Sequence, residues 1–223
     1  MTAKEKPHIV RSFDEELESM NSLLVSMGQQ GLQQLEKAMQ ALRTRDAELA
    51  HAILRADDLV DSMHAQVNTL TVGLLATRQP VATDLRHVVA ALKMATDLER
   101  VADYAASVAG STLALPGPPS EGVLAKIDAL AVVVQKLLQD AVQALTEESE
   151  EIAMAVWHGD DAVDDAYLVL MGALHAEIAA HPERLAVNSQ LIFVARSLER
   201  LADHVTNVAG HLIYSITGKI YKG

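Results

Sequence analysis

Cysteine is absent from the chain, which removes disulfides, thiolate zinc sites, iron–sulfur clusters and cysteine nucleophiles together. Aromatic residues are scarce, at 3% of 223 residues, while apolar residues reach 50%. An apolar half made mostly of Ala, Leu and Val suits close-packed helices better than a sheet, which favours β-branched and aromatic side chains. Long basic runs are missing and the net charge is −12. Phosphate neutralisation by Lys and Arg is therefore not available, and nonspecific nucleic-acid binding is not expected. No stretch of about 18 uncharged apolar residues occurs, so no membrane span is expected. The first residues run from Met1-Thr2-Ala3-Lys4 to Ser12-Phe13-Asp14-Glu15 without an apolar stretch. A secretory signal is accordingly not expected, and a cytoplasmic location is.

Proline is also sparse, with 6 in the chain. After Pro7 it occurs only at Pro80, in Pro116-Gly117-Pro118-Pro119, and at Pro182. Helix interiors exclude proline and first turns accept it. The central cluster therefore reads as a linker over 114–120 between an N-terminal unit, 1–113, and a C-terminal unit, 121–223. Gln79-Pro80 and His181-Pro182 each read as the start of the third helix of a unit.

Between these marks the apolar spacing is helical. Phe13, Leu17, Met20, Leu24, Met27, Gly31, Ala38 and Leu42 keep alternating steps of four and three, with a polar gap at Gln34. Leu49, Ile53, Ala56, Val60, Met63, Val67, Leu70 and Leu74 keep them without a break. Such steps lay one apolar stripe along a helix that faces near-antiparallel partners. The spacing predicts an all-α fold of six long helices, near 11–43, 46–77, 80–112, 121–146, 149–179 and 182–217. These form two three-helix bundles.

The chain is a duplication. Leu98-Glu99-Arg100-Val101-Ala102-Asp103 recurs a hundred residues later as Leu198-Glu199-Arg200-Leu201-Ala202-Asp203, and both copies run on to Val-Ala-Gly. Asp57-Asp58-Leu59-Val60-Asp61 is matched by Asp160-Asp161-Ala162-Val163-Asp164. Each half thus carries two acidic pairs at i and i+4, which leave the same face of a helix. The pairs are Asp57/Asp61 with Glu99/Asp103, and Asp160/Asp164 with Glu199/Asp203. Glu99 also falls within an apolar stripe of Leu85, Val88, Leu92, Ala95, Ala102 and Ala106, where a carboxylate must be neutralised, paired or given a cation. Carboxylates converging from adjacent helices would suit Mg²⁺, Mn²⁺, Ca²⁺ or iron better than structural zinc. The plainer reading makes them solvated faces, with Arg100 and Arg200 in ordinary salt bridges. Four pairs at equivalent repeat positions are more regular than a solvated surface needs.

Gln79-Pro80-Val81-Ala82-Thr83-Asp84-Leu85-Arg86, Lys93 to Asp103, and Ser197 to Ala209 together resemble the PhoU family of phosphate-uptake regulators over nearly the whole chain. The resemblance implies two pseudo-symmetric three-helix bundles whose paired acidic motifs bind metal, in some members as multinuclear iron clusters. Carried over by position, the metal ligands are Asp57, Asp61, Glu99, Asp103, Asp160, Asp164, Glu199 and Asp203, and the implied ion is Mg, Mn or Fe. It implies a negative regulator of phosphate-starvation signalling, touching a sensor histidine kinase and the ATPase of a phosphate ABC transporter, and a homodimer. The sequence departs from the pattern at Tyr104 and Ser107, where the second half has His204 and Asn207, and at Gly110 and Gly210, where an acid is usual.

A second function class is a metal-storing or redox-active carboxylate-bridged bundle. Glu48-x-x-His51 and Asp61-x-x-His64 have the spacing of di-iron bundle motifs, but Asp164-x-x-Tyr167 replaces the latter in the second half. His64 therefore reads as a bundle-edge or surface residue. Trp157 and Tyr167 read as packing or partner-surface residues. No Gly-rich phosphate loop, Ser-His-Asp signature or basic recognition helix occurs, and the chain is not expected to be an enzyme.

Overall fold

The computed structural model describes residues 6–219, with side chains from Phe13 onward. Among the described residues the chain is helical and forms no strand. The elements are α1 (Lys6–Thr44), α2 (Ala47–Arg78), α3 (Thr83–Leu113), α4 (Glu121–Glu147), α5 (Glu150–Trp157), α6 (Asp160–Ala180) and α7 (Leu185–Thr217), with a 3₁₀ turn at Pro182–Arg184 before α7. None of the described helices is long and apolar enough to cross a membrane.

Local chemistry sets these boundaries. Asp46 caps α2 by accepting from the Leu49 amide at 2.9 Å, and Ser120 and Ser149 cap α4 and α5 in the same way. Each satisfies an amide that the first turn leaves without a helical partner. Two expectations need correction. The third helix begins at Thr83, not at Pro80. Gln79 ends α2 in the left-handed region and Ala82 also takes a positive φ of 50°, so residues 79–82 serve as the reversing turn and no room remains for Pro80 in a first helical turn. The fifth helix, expected to be continuous over 149–179, is divided at His158-Gly159 into α5 and α6. Glycine is a poor helix former, and a Cβ at Gly159 would lie 2.5 Å from Leu137 Cδ1. A side chain at this joint would therefore have to displace the end of Leu137 on α4.

The two halves share one hydrophobic core, which draws on every α-helix from α1 to α7. Its central seams are α3 against α7 and α1 against α4. Both run antiparallel. Arg86 donates to the Ser215 carbonyl while Asp97 meets His204, and Arg43 pairs with Asp128 while Asn21 reaches Leu145. The α1–α4 seam is close enough that a Cβ at Gly28 would lie 2.7 Å from Val142 Cγ2. Burying a Leu or Met fully contributes about 1.5–3 kcal/mol, and Met20, Leu24, Met27, Leu35, Met39 and Leu42 are all buried along α1. The polar gap in that stripe, Gln34, is buried as well and donates to the Ala56 carbonyl at 3.3 Å. The Pro/Gly segment is held down at its end. Arg184 donates to the Pro118 carbonyl at 2.9 Å and pairs with Glu177, which also accepts from Ser120.

Candidate metal sites: two carboxylate clusters

In each half the two acidic pairs lie on helices that pack against one another. Asp57 and Asp61 lie on α2, which packs along α3, the helix that carries Glu99 and Asp103. Burial, then the charges of Asp103, Asp61, Glu99 and Asp58, pushes the Asp57 carboxyl up from 3.8 to about 6. The α3 carboxylates Asp103 and Glu99 thus lie within electrostatic reach of Asp57 on α2. Burial and the Asp103 charge likewise raise the Glu99 carboxyl above its ordinary value, against the opposing pull of Arg100 and His64. The Glu99 side chain retains 19% exposure. Arg100 donates to Asp103 at 2.7 Å and lies 3.5 Å from Glu99, so the expected salt bridge is present and neutralises part of the cluster.

In the second half, α6 carries Asp160 and Asp164 and packs along α7, which carries Glu199 and Asp203. Burial and the charges of Asp164, Asp203 and Asp161 raise the Asp160 carboxyl. Burial raises Glu199 and Asp203 as well, with Asp164 adding to both and Arg200 opposing. The two clusters differ in their surroundings. Asp160 opens the first turn of α6 just after the Gly159 break, where the helix dipole favours negative charge. Asp57 sits in the interior of a continuous helix. The first cluster has His64 within electrostatic reach of Glu99, whereas the matching position in the second half is Tyr167.

The donor set is oxygen-only and electrostatically under-compensated, which suits a hard cation. Among the described residues, no three carboxylate or imidazole side chains are gathered closely enough to share one ion. Capture of a cation therefore requires side-chain rotation that draws the carboxylates inward.

One polar grouping escaped the sequence reading. Asp97, on the α3–α7 seam, accepts from His204 Nδ1 at 2.8 Å and lies 3.2 Å from His211 Nε2. Asn207 Nδ2 reaches the same carboxylate at 3.5 Å, and Tyr104 stacks on His204 with ring centroids 5.6 Å apart. Burial pushes the Asp97 carboxyl up, but the hydrogen bonds and charges of the two histidines outweigh it and hold it below the usual carboxylate range. The available signal was asymmetry between repeats: Asp97, Tyr104, Ser107 and Ser111 stand against Ser197, His204, Asn207 and His211.

Comparison with known proteins gives one consistent result. The PhoU domain model matches residues 24–112 and again 127–212. A protein from Caulobacter vibrioides described as a phosphate-specific transport system accessory protein PhoU homolog is 33% identical over 213 residues, covering 95% of this chain and 93% of its own. One from Clostridium acetobutylicum with the same description is 32% identical over 208 residues, covering 93% and 95%. Among solved structures, PhoU from Pseudomonas aeruginosa superposes with a TM-score of 0.88 at 31% identity, covering 93% of this chain and 100% of that one. The phosphate transport system regulatory protein PhoU from Streptococcus pneumoniae gives 0.86 at 26% identity, covering 94% and 99%.

Proposed function

Because the chain belongs to the PhoU family, we propose that it is a negative regulator of phosphate uptake and of phosphate-starvation signalling. In this reading it is a cytoplasmic homodimer that couples the ATPase of a phosphate ABC transporter to a sensor histidine kinase. Its action is by contact: when the transporter signals sufficient phosphate, the protein holds the kinase in its non-phosphorylating state. The observation that carries the reading is the twofold match of the domain along the chain, joined to relatives described as accessory proteins of phosphate-specific transport. The carboxylate clusters fit the same role as hard-cation sites. An ion shared between α2 and α3, or between α6 and α7, would lock two helices whose acids otherwise repel, and would make the shape offered to partners metal-dependent.

Deletion of the protein in its own host, read with a phosphate-starvation reporter in phosphate-rich medium, tests the regulatory reading. The reporter is expected to switch on despite ample phosphate, and to be silenced again when the intact chain is restored. An unchanged reporter would refute it and return the chain to the competing class of metal-storing or redox bundle, which predicts normal regulation in the deletion.

A further inference from the structure

We propose that the cleft where α3, α5 and α7 meet is a binding site for a small organic oxyanion with a flat apolar body. The cleft encloses about 300 Å³ and is lined by Val89, Lys93, Trp157, Asn207, Gly210, His211 and Tyr214. No carboxylate lines it, in a chain whose net charge is −12. Its polar groups are instead an ammonium, an imidazole, an amide, a phenol and an indole N–H, a set rich in donors. Lys93 is exposed and makes no ion pair with any described residue. The carboxylate that orients the set lies outside the lining: Asp97 engages His211 Nε2 at 3.2 Å and Asn207 Nδ2 at 3.5 Å.

The apolar wall is as specific as the polar one. Trp157 lies so close on α7 that a Cβ at Gly210 would stand 2.5 Å from its Cζ3. Glycine at that position admits the ring and fixes it as a flat surface beside the donors. A flat surface beside converging donors matches a ligand that carries an aromatic or planar part next to its anionic group. The duplication supplies an internal control. The positions equivalent to Lys93, Asn207, His211, Tyr214 and Trp157 are Phe193, Ser107, Ser111, Ala114 and Leu54. Phe193 and Leu54 are exposed, and a Cβ at Gly110 would meet nothing within 4 Å. Helix packing in this fold therefore does not require the donors, the aromatic wall or the tight glycine, and they were assembled in one copy only.

Trp157 is the only tryptophan, since the chain has 1, so its fluorescence reports this cleft alone. Phenyl phosphate, with phenol as the uncharged control at matched ionic strength, provides the probe. Saturable change in emission is expected with phenyl phosphate and not with phenol. Lys93→Met should weaken the phenyl phosphate response by about tenfold or more, the usual effect of losing one charge-assisted hydrogen bond. Gly210→Ala should shift the Trp157 emission before any ligand is added. Circular dichroism of each variant establishes that the helices remain. The proposal is overturned if folded protein shows no saturable response up to about 10 mM phenyl phosphate, ten times the dissociation constant of a millimolar binder. It is equally overturned if phenol binds as well, or if Lys93→Met binds undiminished.

Discussion

Replacing Asp57 by asparagine should stabilise the metal-free protein near neutral pH. The Asp57 carboxyl stands at about 6 against an ordinary 3.8, chiefly through burial and then through the charges of Asp103, Asp61 and Glu99. The folded molecule therefore holds this proton more tightly than the unfolded chain does. Its contribution to stability is complete below pH 3.8 and is lost as the pH rises through about 6. Unscreened, such a shift would be worth about 3 kcal/mol. Asp57 is only half-buried, and screening by solvent reduces the effect to about 1 kcal/mol. An amide in place of this carboxyl carries no charge at any pH. After chelation, Asp57→Asn should therefore gain about 1 kcal/mol at about pH 7.5, a Tm rise of roughly 2–4 °C for a chain of this size. At about pH 4 or below the advantage should shrink towards zero, because the wild-type carboxyl is then protonated as well. Adding Mn²⁺ at about pH 7.5 should reverse the order, since the wild type gains a ligand that the variant lacks. Thermal unfolding at the two pH values, with and without Mn²⁺, measures all three effects. An equal stabilisation at both pH values, or a loss near neutral pH without metal, would refute the reasoning.

Three other outcomes follow from the same geometry. Asp97→Ala should cost about 2–3 kcal/mol near neutral pH, because it leaves His204 and His211 without their acceptor on the α3–α7 seam. The cost should diminish in acid: Asp97 titrates below its ordinary value when folded, so its contribution exists above the unfolded value and fades as the pH falls through the folded one. Chemical denaturation across pH reads this directly. Gly73→Ala should stabilise by up to about 1 kcal/mol, since a Cβ there meets nothing within 4 Å and alanine is the better helix former. Gly28→Ala should show no such gain, because its Cβ would press on Val142 Cγ2 at 2.7 Å and overpacking offsets the propensity term. Thermal unfolding of the two glycine variants side by side checks both.

Periodicity and duplication carried the helices and the acidic pairs because both are local patterns. Of the α2 stripe, Ile53, Val60, Met63, Val67 and Leu74 are buried, Leu49 and Leu70 are half-buried and Ala56 is exposed, since the helical period sets which face turns inward but not how far its edge is covered. What spacing does not encode is contact between distant helices. Leu137 of α4 lies close over Gly159 at the break before Asp160, and no feature of residues 149–179 alone announces that neighbour. The Asp97–His204–His211 grouping likewise spans helices more than a hundred residues apart in sequence. Each member alone resembles an ordinary polar residue. Only the failure of these positions to repeat between the halves distinguishes them. The turn at 79–82 is hidden for a related reason: proline tolerates a first helical turn, but reversing the chain between α2 and α3 uses those residues first.

Separate metal binding by the two halves is the decisive measurement for the carboxylate clusters. Chelator-stripped protein would be titrated calorimetrically with Mn²⁺, alongside Glu99→Gln/Asp103→Asn and Glu199→Gln/Asp203→Asn, with elemental analysis of protein purified without chelator. The parent should retain a hard cation, and each double variant should lose the binding of its own half while keeping the other. A parent that holds no metal, with neither double variant altering the titration, would refute the metal sites and leave the eight carboxylates as solvated helix faces.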